Sequence, residues 1–261
     1  MGDQRFELVA LEDAAAVACA VAEVVLESRL GGELSLLPIG LATGNTMEPV
    51  YLALARLLEA RPAAERDLIR STWLSFSLDE YVGLSTEHPS SFAATLSRQV
   101  ALPLGLKRNQ LQGPDGLSED PGAEAHRYAE ALLRAGGVGL QLLGLGLNGH
   151  VAFNEPPCSA DAPCRVVALS SATRERNASA FGGDPAQVPR QAITLGLAEI
   201  LAARRILLVV TGPEKRGALR RLLKEPMSPA LPASWLHNHA MVQVIADHAA
   251  LGGPSSSTAE I

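Results

Sequence analysis

The chain has 261 residues, of which 47% are hydrophobic and 19% charged, so it can bury a substantial core as one large domain or two small ones. The formal net charge is −6 and no run of basic residues could follow a phosphate backbone, so we expect no nucleic-acid partner. No uninterrupted apolar stretch reaches the ~18 residues that span a bilayer, and the first residues form no apolar signal core. We therefore expect a cytoplasmic protein without membrane attachment.

Short β-rich segments alternate with longer helical ones along the chain. Glycine pairs end two of the helical patterns, and Pro38 marks an end or an edge of one short strand. In chain order we predict helix 12–30, strand 34–39, helix 47–60, strand 73–78, helix 119–136, strand 139–146, strand 205–210, helix 213–223 and strand 241–245.

Nearly continuous apolar strands between helices indicate an α/β fold with a mostly parallel sheet that helices cover on both faces. We find no repeat and no clear linker, so we expect a single α/β domain over 1–261. A low-complexity tail from about residue 252 is expected to be mobile. In such folds ligands bind beyond the carboxyl ends of the strands, and four polar segments lie there.

The first segment follows strand 34–39 and contains Thr43, Gly44, Asn45 and Thr46. A glycine turn before a helix presents backbone N–H groups and a positive dipole to an anion. The segment has no Walker lysine, so a nucleotide is not implied. The alternative is a simple turn in which Asn45 or Thr46 caps the helix.

The second segment places Asp79 and Glu80 directly after strand 73–78. A carboxylate that points into a cleft at a strand end can act as a general base. The alternative is an acidic turn in solvent.

The third segment contains Asn148, His150 and Glu155 on one loop after strand 139–146. A histidine titrates near neutral pH, and an amide or a carboxylate beside it can fix its tautomer. A single histidine is more often structural, but one held between Asn and Glu at this place favours catalysis.

The fourth segment follows strand 205–210, and its Pro213 suits the first position of a helix. Lys215 in that first turn could reach an anion bound by the first segment. The alternative is a solvated lysine, which the helix dipole disfavours slightly at this position.

Together these segments resemble the glucosamine-6-phosphate deaminase family, over about residues 10–248. The motifs that carry the resemblance are Thr43-Gly44-Asn45-Thr46, Leu78-Asp79-Glu80-Tyr81-Val82-Gly83-Leu84, Asn148-Gly149-His150-Val151-Ala152-Phe153-Asn154-Glu155-Pro156 and Thr211-Gly212-Pro213-Glu214-Lys215. The resemblance implies a modified Rossmann-like three-layer α/β/α sandwich without a bound dinucleotide, and an enzyme that needs no metal or organic cofactor.

The family resemblance also implies residue roles. His150, oriented by Glu155 and Asn148, would open the sugar ring, and Asp79 would remove the proton from C2. Thr43, Gly44, Asn45, Thr46 and Lys215 would hold the phosphate of an amino-sugar phosphate. Residues 156–189, between the catalytic loop and the next strand, are expected to form a mobile lid.

The chain departs from the family pattern at three positions. Asn148 stands where many members have Asp, and Ser179 aligns with an arginine that helps some members to hold the phosphate, although Arg174 and Arg176 lie nearby. Val167 stands where the allosteric type has a basic residue, so we expect no activation by N-acetylglucosamine 6-phosphate. The short chain with Asn148 resembles monomeric members more than hexameric ones.

Three other functions are compatible with parts of the pattern. A galactosamine-6-phosphate enzyme would differ in the recognition of one hydroxyl. A 6-phosphogluconolactonase has a related Gly-His loop, but Phe153-Asn154-Glu155-Pro156 matches the deaminases. A non-catalytic sugar-phosphate sensor would carry a helix-turn-helix segment before the domain, whereas here the α/β pattern begins almost at once.

Overall fold

The computed structural model of the protein describes residues 6–253. The first five residues and the part of the predicted tail from residue 254 onward lie outside this range. Among residues 6–253, no helix is both long enough and apolar enough to cross a bilayer.

The protein is built on two β-sheets and ten α-helices within the described range. The strands are β1 Glu7–Leu11, β2 Ile39–Leu41, β3 Ser75–Ser77, β4 Asp79–Tyr81, β5 Leu111–Gln112, β6 Leu140–Gly144, β7 Arg165–Ala168, β8 Gln191–Thr194, β9 Arg205–Val210 and β10 Val242–Asp247. The helices are α1 Ala14–Leu30, α2 Glu48–Glu59, α3 Ala63–Thr72, α4 Phe92–Leu96, α5 Leu102–Leu104, α6 Pro121–Arg134, α7 Ser171–Asn177, α8 Leu197–Leu201, α9 Arg216–Lys224 and α10 His248–Leu251.

The larger sheet has seven parallel strands in the order β1-β10-β9-β6-β2-β3-β5. Five consecutive residues of β9, from Ile206 to Val210, are at most 1% exposed. Because successive side chains of a strand point to opposite faces, this burial requires cover on both faces of the sheet. The predicted α/β class with a mostly parallel sheet is therefore confirmed.

The smaller sheet is antiparallel, has the order β4-β8-β7 and was not predicted from the sequence. A small aromatic cluster packs beside it, in which Tyr81 contacts the rings of Phe92, Phe153 and Phe181. This sheet matters for the site because β4 begins at Asp79, and because β7 belongs to the predicted lid.

The predicted strand 34–39 is wrong. Residues Glu33–Leu36 form a 3-10 turn, and β2 begins only at Ile39, after Pro38. The physical reason is Arg29, which is 1% exposed and donates hydrogen bonds to the carbonyl oxygens of three residues of this segment, Leu34, Ser35 and Leu37. Carbonyl groups that turn toward one buried guanidinium are not available to a strand ladder. Strand β2 is also internal, between β6 and β3, rather than an edge.

Candidate active site

The strand order brings the four polar segments to one edge of the sheet. β9, β6, β2 and β3 are consecutive neighbours, all parallel, so their carboxyl ends meet. From β2 the chain continues to β3 and β5 on one side of the sheet, and from β6 it continues to β9 and β10 on the other side. The strand order therefore reverses between β6 and β2, and open α/β sheets form a ligand crevice at such a point. The segments around Lys215, His150, Thr43 and Asp79 follow these four strands in that spatial order.

The histidine loop forms a hydrogen-bond relay of three side chains. Asn148 Nδ2 donates to Glu155 Oε2, and His150 Nδ1 lies 2.6 Å from Asn148 Oδ1. A carboxylate only accepts, so the amide must turn its NH₂ to Glu155 and its oxygen to His150. His150 Nδ1 therefore carries the proton, and the Nε2 lone pair is left free to accept one.

Gly146 provides the space in which the imidazole lies. A Cβ atom at Gly146 would stand 2.3 to 2.4 Å from three ring atoms of His150, whereas real Cβ atoms essentially never come closer than 3.0 Å to a neighbour. The Gly146 N–H also donates to the His150 carbonyl at 2.9 Å, which closes the loop under the ring. The glycine after β6 is thus required by a close approach and not by an unusual backbone angle.

Burial and the groups around the relay favour a neutral His150 and an ionised Glu155. Burial lowers the pKa of His150, and the nearby cations Arg176 and Lys215 lower it further, against the opposing effect of Glu155. For Glu155, burial acts to raise the pKa, but the hydrogen bonds from Thr173 and Asn148 and the positive charge of Arg176 hold the pKa below its usual value. Thr173 Oγ1 donates to Glu155 Oε1 at 2.7 Å.

Asp79 is buried at the first position of β4, where it pairs with Thr194 of β8. Its side chain is 7% exposed, and burial, followed by the charge of Glu80, raises the pKa of Asp79 to about 8. A carboxyl group with this pKa is a much stronger base than one in water. The alternative of a solvated acidic turn is wrong.

Glu80 has a structural task that the sequence did not reveal. Its carboxylate accepts the backbone N–H groups of Tyr81, Phe92 and Ala93 at 2.9 to 3.0 Å, and so fixes β4 against the start of α4. Three amide donors bind one buried side chain, which therefore cannot point into the cleft. Of the two adjacent carboxylates, Asp79 alone remains as the candidate base.

Thr194 connects Asp79 to the histidine loop. It is the strand partner of Asp79, and its hydroxyl accepts a hydrogen bond from the Phe153 backbone N–H at 3.3 Å. Asn154 anchors the same loop, because its buried amide donates to the carbonyl oxygens of Val151 and Leu195 at 3.1 and 3.0 Å. The two predicted catalytic segments are therefore joined through one residue, by its strand pairing on one side and its hydroxyl on the other.

The predicted anion loop lies between β2 and α2. Gly44 has a φ of +111°, which favours glycine, and Asn45 is exposed while Thr43 and Thr46 are half-buried. Met47 is the N-cap residue of α2, and no side chain caps the helix there. The alternative in which Asn45 or Thr46 is the cap is wrong, and the start of α2 is left without a side-chain acceptor.

Lys215 is held over the histidine loop. Its Nζ donates to the carbonyl oxygen of Leu145, directly before Gly146, at 2.8 Å. Burial lowers the pKa of Lys215, an effect that the charge of Glu214 opposes and that of Arg176 adds to. The alternative of a solvated lysine is wrong.

Arg176 is the arginine of α7 that faces this cluster. Its Nη2 lies 3.7 Å from Glu155 Oε1 and 3.3 Å from Thr173 Oγ1. Arg174 turns the other way, with Nη1 3.4 Å from the Pro185 carbonyl oxygen, and Ser179 is exposed. Sequence reasoning named Arg174 and Arg176 without distinguishing them, and it missed Thr173 and Gly146. The only signal for Thr173 was the pattern Ser170-x-x-Thr173, typical of a helix start.

Comparisons with known proteins agree with the geometry. A family model described as glucosamine-6-phosphate isomerases/6-phosphogluconolactonase matches residues 11–245. A glucosamine-6-phosphate deaminase of Streptomyces avermitilis is 41% identical over 245 residues, which cover 94% of this chain and 91% of that protein. The corresponding protein of Beutenbergia cavernae is 38% identical over 247 residues, with 94% and 91% covered.

Two solved structures extend the comparison. A monomeric glucosamine-6-phosphate deaminase has a TM-score of 0.87 at 32% identity, with 95% of this chain and 99% of that chain covered. The 6-phosphogluconolactonase of Trypanosoma brucei has a TM-score of 0.72 at 20% identity, with 95% and 98% covered, and shares the fold. The chain therefore belongs to the family of glucosamine-6-phosphate isomerases and 6-phosphogluconolactonases, and the resemblance predicted from its motifs is confirmed.

Proposed function

We propose that this chain is a glucosamine-6-phosphate deaminase, which converts glucosamine 6-phosphate and water to fructose 6-phosphate and ammonia. The observation that carries the proposal is the presence of two separate proton-transfer groups. One is a neutral imidazole at the end of a relay, His150, and the other is a buried carboxyl group with a pKa of about 8, Asp79. An aldose–ketose conversion that begins with a closed ring needs both.

His150 serves the ring-opening step. Its free Nε2 can take the proton of the anomeric hydroxyl and return it to the ring oxygen, since burial and nearby cations keep the ring neutral. Asn148 Oδ1 accepts a hydrogen bond from the protonated Nδ1 of His150, and Glu155 Oε2 accepts one from the amide nitrogen of Asn148. The relay thereby fixes both the tautomer and the orientation of the ring.

Asp79 serves the isomerisation step. Its carboxylate removes the C2 proton of the open-chain amino sugar, and the resulting acid returns a proton at C1, after which water displaces ammonia. A pKa near 8 suits both directions, because the two protonation states then differ little in free energy at neutral pH.

The phosphate is held by the loop that contains Thr43, Gly44, Asn45 and Thr46, together with Lys215. The turn of residues 44–46 offers backbone N–H groups next to the helix dipole, since the N–H groups of Met47 and Glu48 already donate to the Gly44 carbonyl and Pro49 has none. We add Arg176 to this set, because it faces Lys215 and His150, whereas Arg174 and Ser179 do not. The charge of Arg176 contributes to the lowered pKa of Lys215, and two neighbouring cations favour an anion between them.

The reaction is tested by ammonia release from glucosamine 6-phosphate, with galactosamine 6-phosphate and 6-phosphogluconolactone assayed in parallel. Ammonia from the gluco substrate by wild type, lost in Asp79→Asn, supports the reaction and the base. Release from the galacto epimer alone would keep the mechanism and change the substrate. Consumption of the lactone without ammonia release would refute the proposal.

The phosphate site is tested by Lys215→Met. Loss of one charge-assisted hydrogen bond is expected to raise KM about 10- to 100-fold and to change kcat less. Lys224→Met is the matched control, because Lys224 lies on the exposed face at the end of α9 and should leave KM unchanged. An equal effect of the two substitutions would remove Lys215 from the site.

Three further features belong to the proposal. The protein is a cytoplasmic monomer, as the solved deaminase of similar fold is monomeric, and light scattering at assay concentration should give the mass of one chain. Residues 156–189 act as a lid, so a substrate analogue should protect this segment from proteolysis. N-acetylglucosamine 6-phosphate does not activate the enzyme, and a rate increase at subsaturating substrate would contradict this.

A further inference from the structure

We infer that Thr173 is a positioning residue that ties helix α7 to Glu155, so that the relay to His150 is complete only when α7 is docked. The inference rests on the proposed function, because it concerns how the predicted lid and the predicted ring-opening group are joined. It adds a residue that lies outside the four motifs.

The Thr173 hydroxyl has one proton and gives it to Glu155. The side chain is 4% exposed, and Oγ1 donates to Glu155 Oε1 at 2.7 Å across 18 positions of sequence. The same oxygen accepts from Ser170 Oγ at 3.0 Å and from Arg176 Nη2 at 3.3 Å. Since both lone pairs are used by donors, the direction of the bond to the carboxylate is fixed.

This hydrogen bond determines whether Asn148 or Glu155 is the hydrogen-bond partner of His150 Nδ1. Oε1 is occupied by Thr173 and Oε2 by Asn148, while His150 Nδ1 stays 3.4 Å from Oε1. Without the Thr173 hydroxyl, Oε1 would be free to turn to His150 Nδ1 and take the place of the Asn148 amide. Thr173 therefore keeps the Nδ1–H of His150 hydrogen-bonded to the neutral amide of Asn148 and not to a carboxylate. A neutral acceptor favours the neutral form of the imidazole.

Helix α7 also contacts the other half of the site. Asn177, at its last position, donates from Nδ2 to the Tyr81 hydroxyl at 2.9 Å, and Tyr81 lies two residues after Asp79 on β4. One short helix of the predicted lid is thus hydrogen-bonded both to the histidine loop and to the strand that carries the base. An outward movement of α7 would release both at once.

The test compares Thr173→Val with Thr173→Ser and with a matched control. The valine variant keeps the shape and removes the hydroxyl, and we expect kcat to fall about tenfold, which corresponds to loss of one hydrogen bond to a charged group, with KM changed less than about threefold. Thr173→Ser should restore kcat. Thr95→Val is the control, because Thr95 also follows a serine N-cap and contacts an arginine three residues on, Arg98, at 3.3 Å, and should keep wild-type kcat.

A second readout needs no substrate. The carboxyl carbon resonance of Glu155, assigned by its loss in Glu155→Gln, should titrate at higher pH in Thr173→Val than in wild type and in Thr95→Val. Thr173→Ala serves the same purpose if the valine variant does not fold. An unchanged Glu155 titration, or a kcat that serine does not restore, would overturn the inference. Absence of ammonia release by wild type, with the Glu155 shift present, would instead refute the proposed function alone.

Discussion

Substitution of the candidate base should separate activity from stability. Asp79→Asn keeps the shape of the side chain and removes a carboxyl group whose pKa the fold raises from 3.8 to about 8. An acid with a raised pKa costs stability once the unfolded chain can ionise, so the cost is absent below about pH 4, grows as the pH rises, and is complete near pH 8. The asparagine variant lacks this cost.

The size of the effect follows from the pKa difference. Each unit corresponds to about 1.4 kcal/mol, so the stability gain of Asp79→Asn over wild type should increase by about 4 kcal/mol between pH 5 and pH 8 as an upper limit. Relaxation of the site and entry of water lower this figure, and about 2 kcal/mol is the expected increase. Burial of the side chain, at 7% exposed, leaves little screening by solvent.

The assay is urea unfolding of both proteins at pH 5, 6.5 and 8, with ammonia release measured on the same samples. We expect the variant to be inactive at each pH. Its urea midpoint of unfolding should exceed that of wild type by the largest amount at pH 8. A gain that is equal at pH 5 and pH 8 would refute the reasoning, because it would show that Asp79 does not titrate in this range. A wild-type kcat/KM that does not rise toward pH 8 would contradict it independently.

Two further predictions concern the histidine loop. Asn148→Asp places a full charge against Nδ1 of His150 and beside Glu155, so the imidazole should titrate at least about one unit higher by proton NMR, and an unchanged titration would show that residue 148 is not its partner. Gly146→Ala should push the imidazole aside and lower kcat on the order of 100-fold, whereas Gly144→Ala, with open space for its Cβ, should keep activity; equal effects of the two alanines would contradict the close contact.

The strands that were predicted well are those that are buried along most of their length. β6, β9 and β10 lie inside the sheet and are largely buried, and they therefore appear in the sequence as predominantly apolar runs. β4 begins with two acidic residues and pairs only with β8, so no local pattern could reveal it. The segment 34–39 has an apolar pattern but is shaped by Arg29 at the end of α1, whose buried guanidinium also donates to the carbonyl oxygen of Thr72, and apolar periodicity does not reveal that role.

The sequence predicted which segments meet at the candidate site, but not the hydrogen bonds between their side chains. Motifs after strands indicated Asp79, His150 and Lys215, because parallel strands bring their carboxyl ends together. The hydrogen bond from Thr173 to Glu155 spans 18 positions, and the contact of Asn177 with Tyr81 spans 96. Such pairs depend on how helix α7 docks, and this cannot be predicted from residue spacing or hydrophobic periodicity.

The pKa values of the two carboxyl groups, Asp79 and Glu155, are shifted in opposite directions, which is consistent with their proposed roles. Glu155 receives hydrogen bonds from Thr173 and Asn148 and stays ionised, so it can orient but is a weak base. Asp79 is buried beside another carboxylate and becomes the stronger base. Had Asn148 been charged, a negative group would adjoin Nδ1 and hold the imidazole as a cation.

A neutral amide at position 148 therefore matters for the whole proposed mechanism. It transmits the orientation of Glu155 to His150 without transmitting its charge, and it leaves the ring able to accept a proton from the substrate. Asparagine at this position is consistent with the proposed mechanism, in which burial, Arg176 and Lys215 keep His150 unprotonated for ring opening and Asp79 is the base that acts at C2.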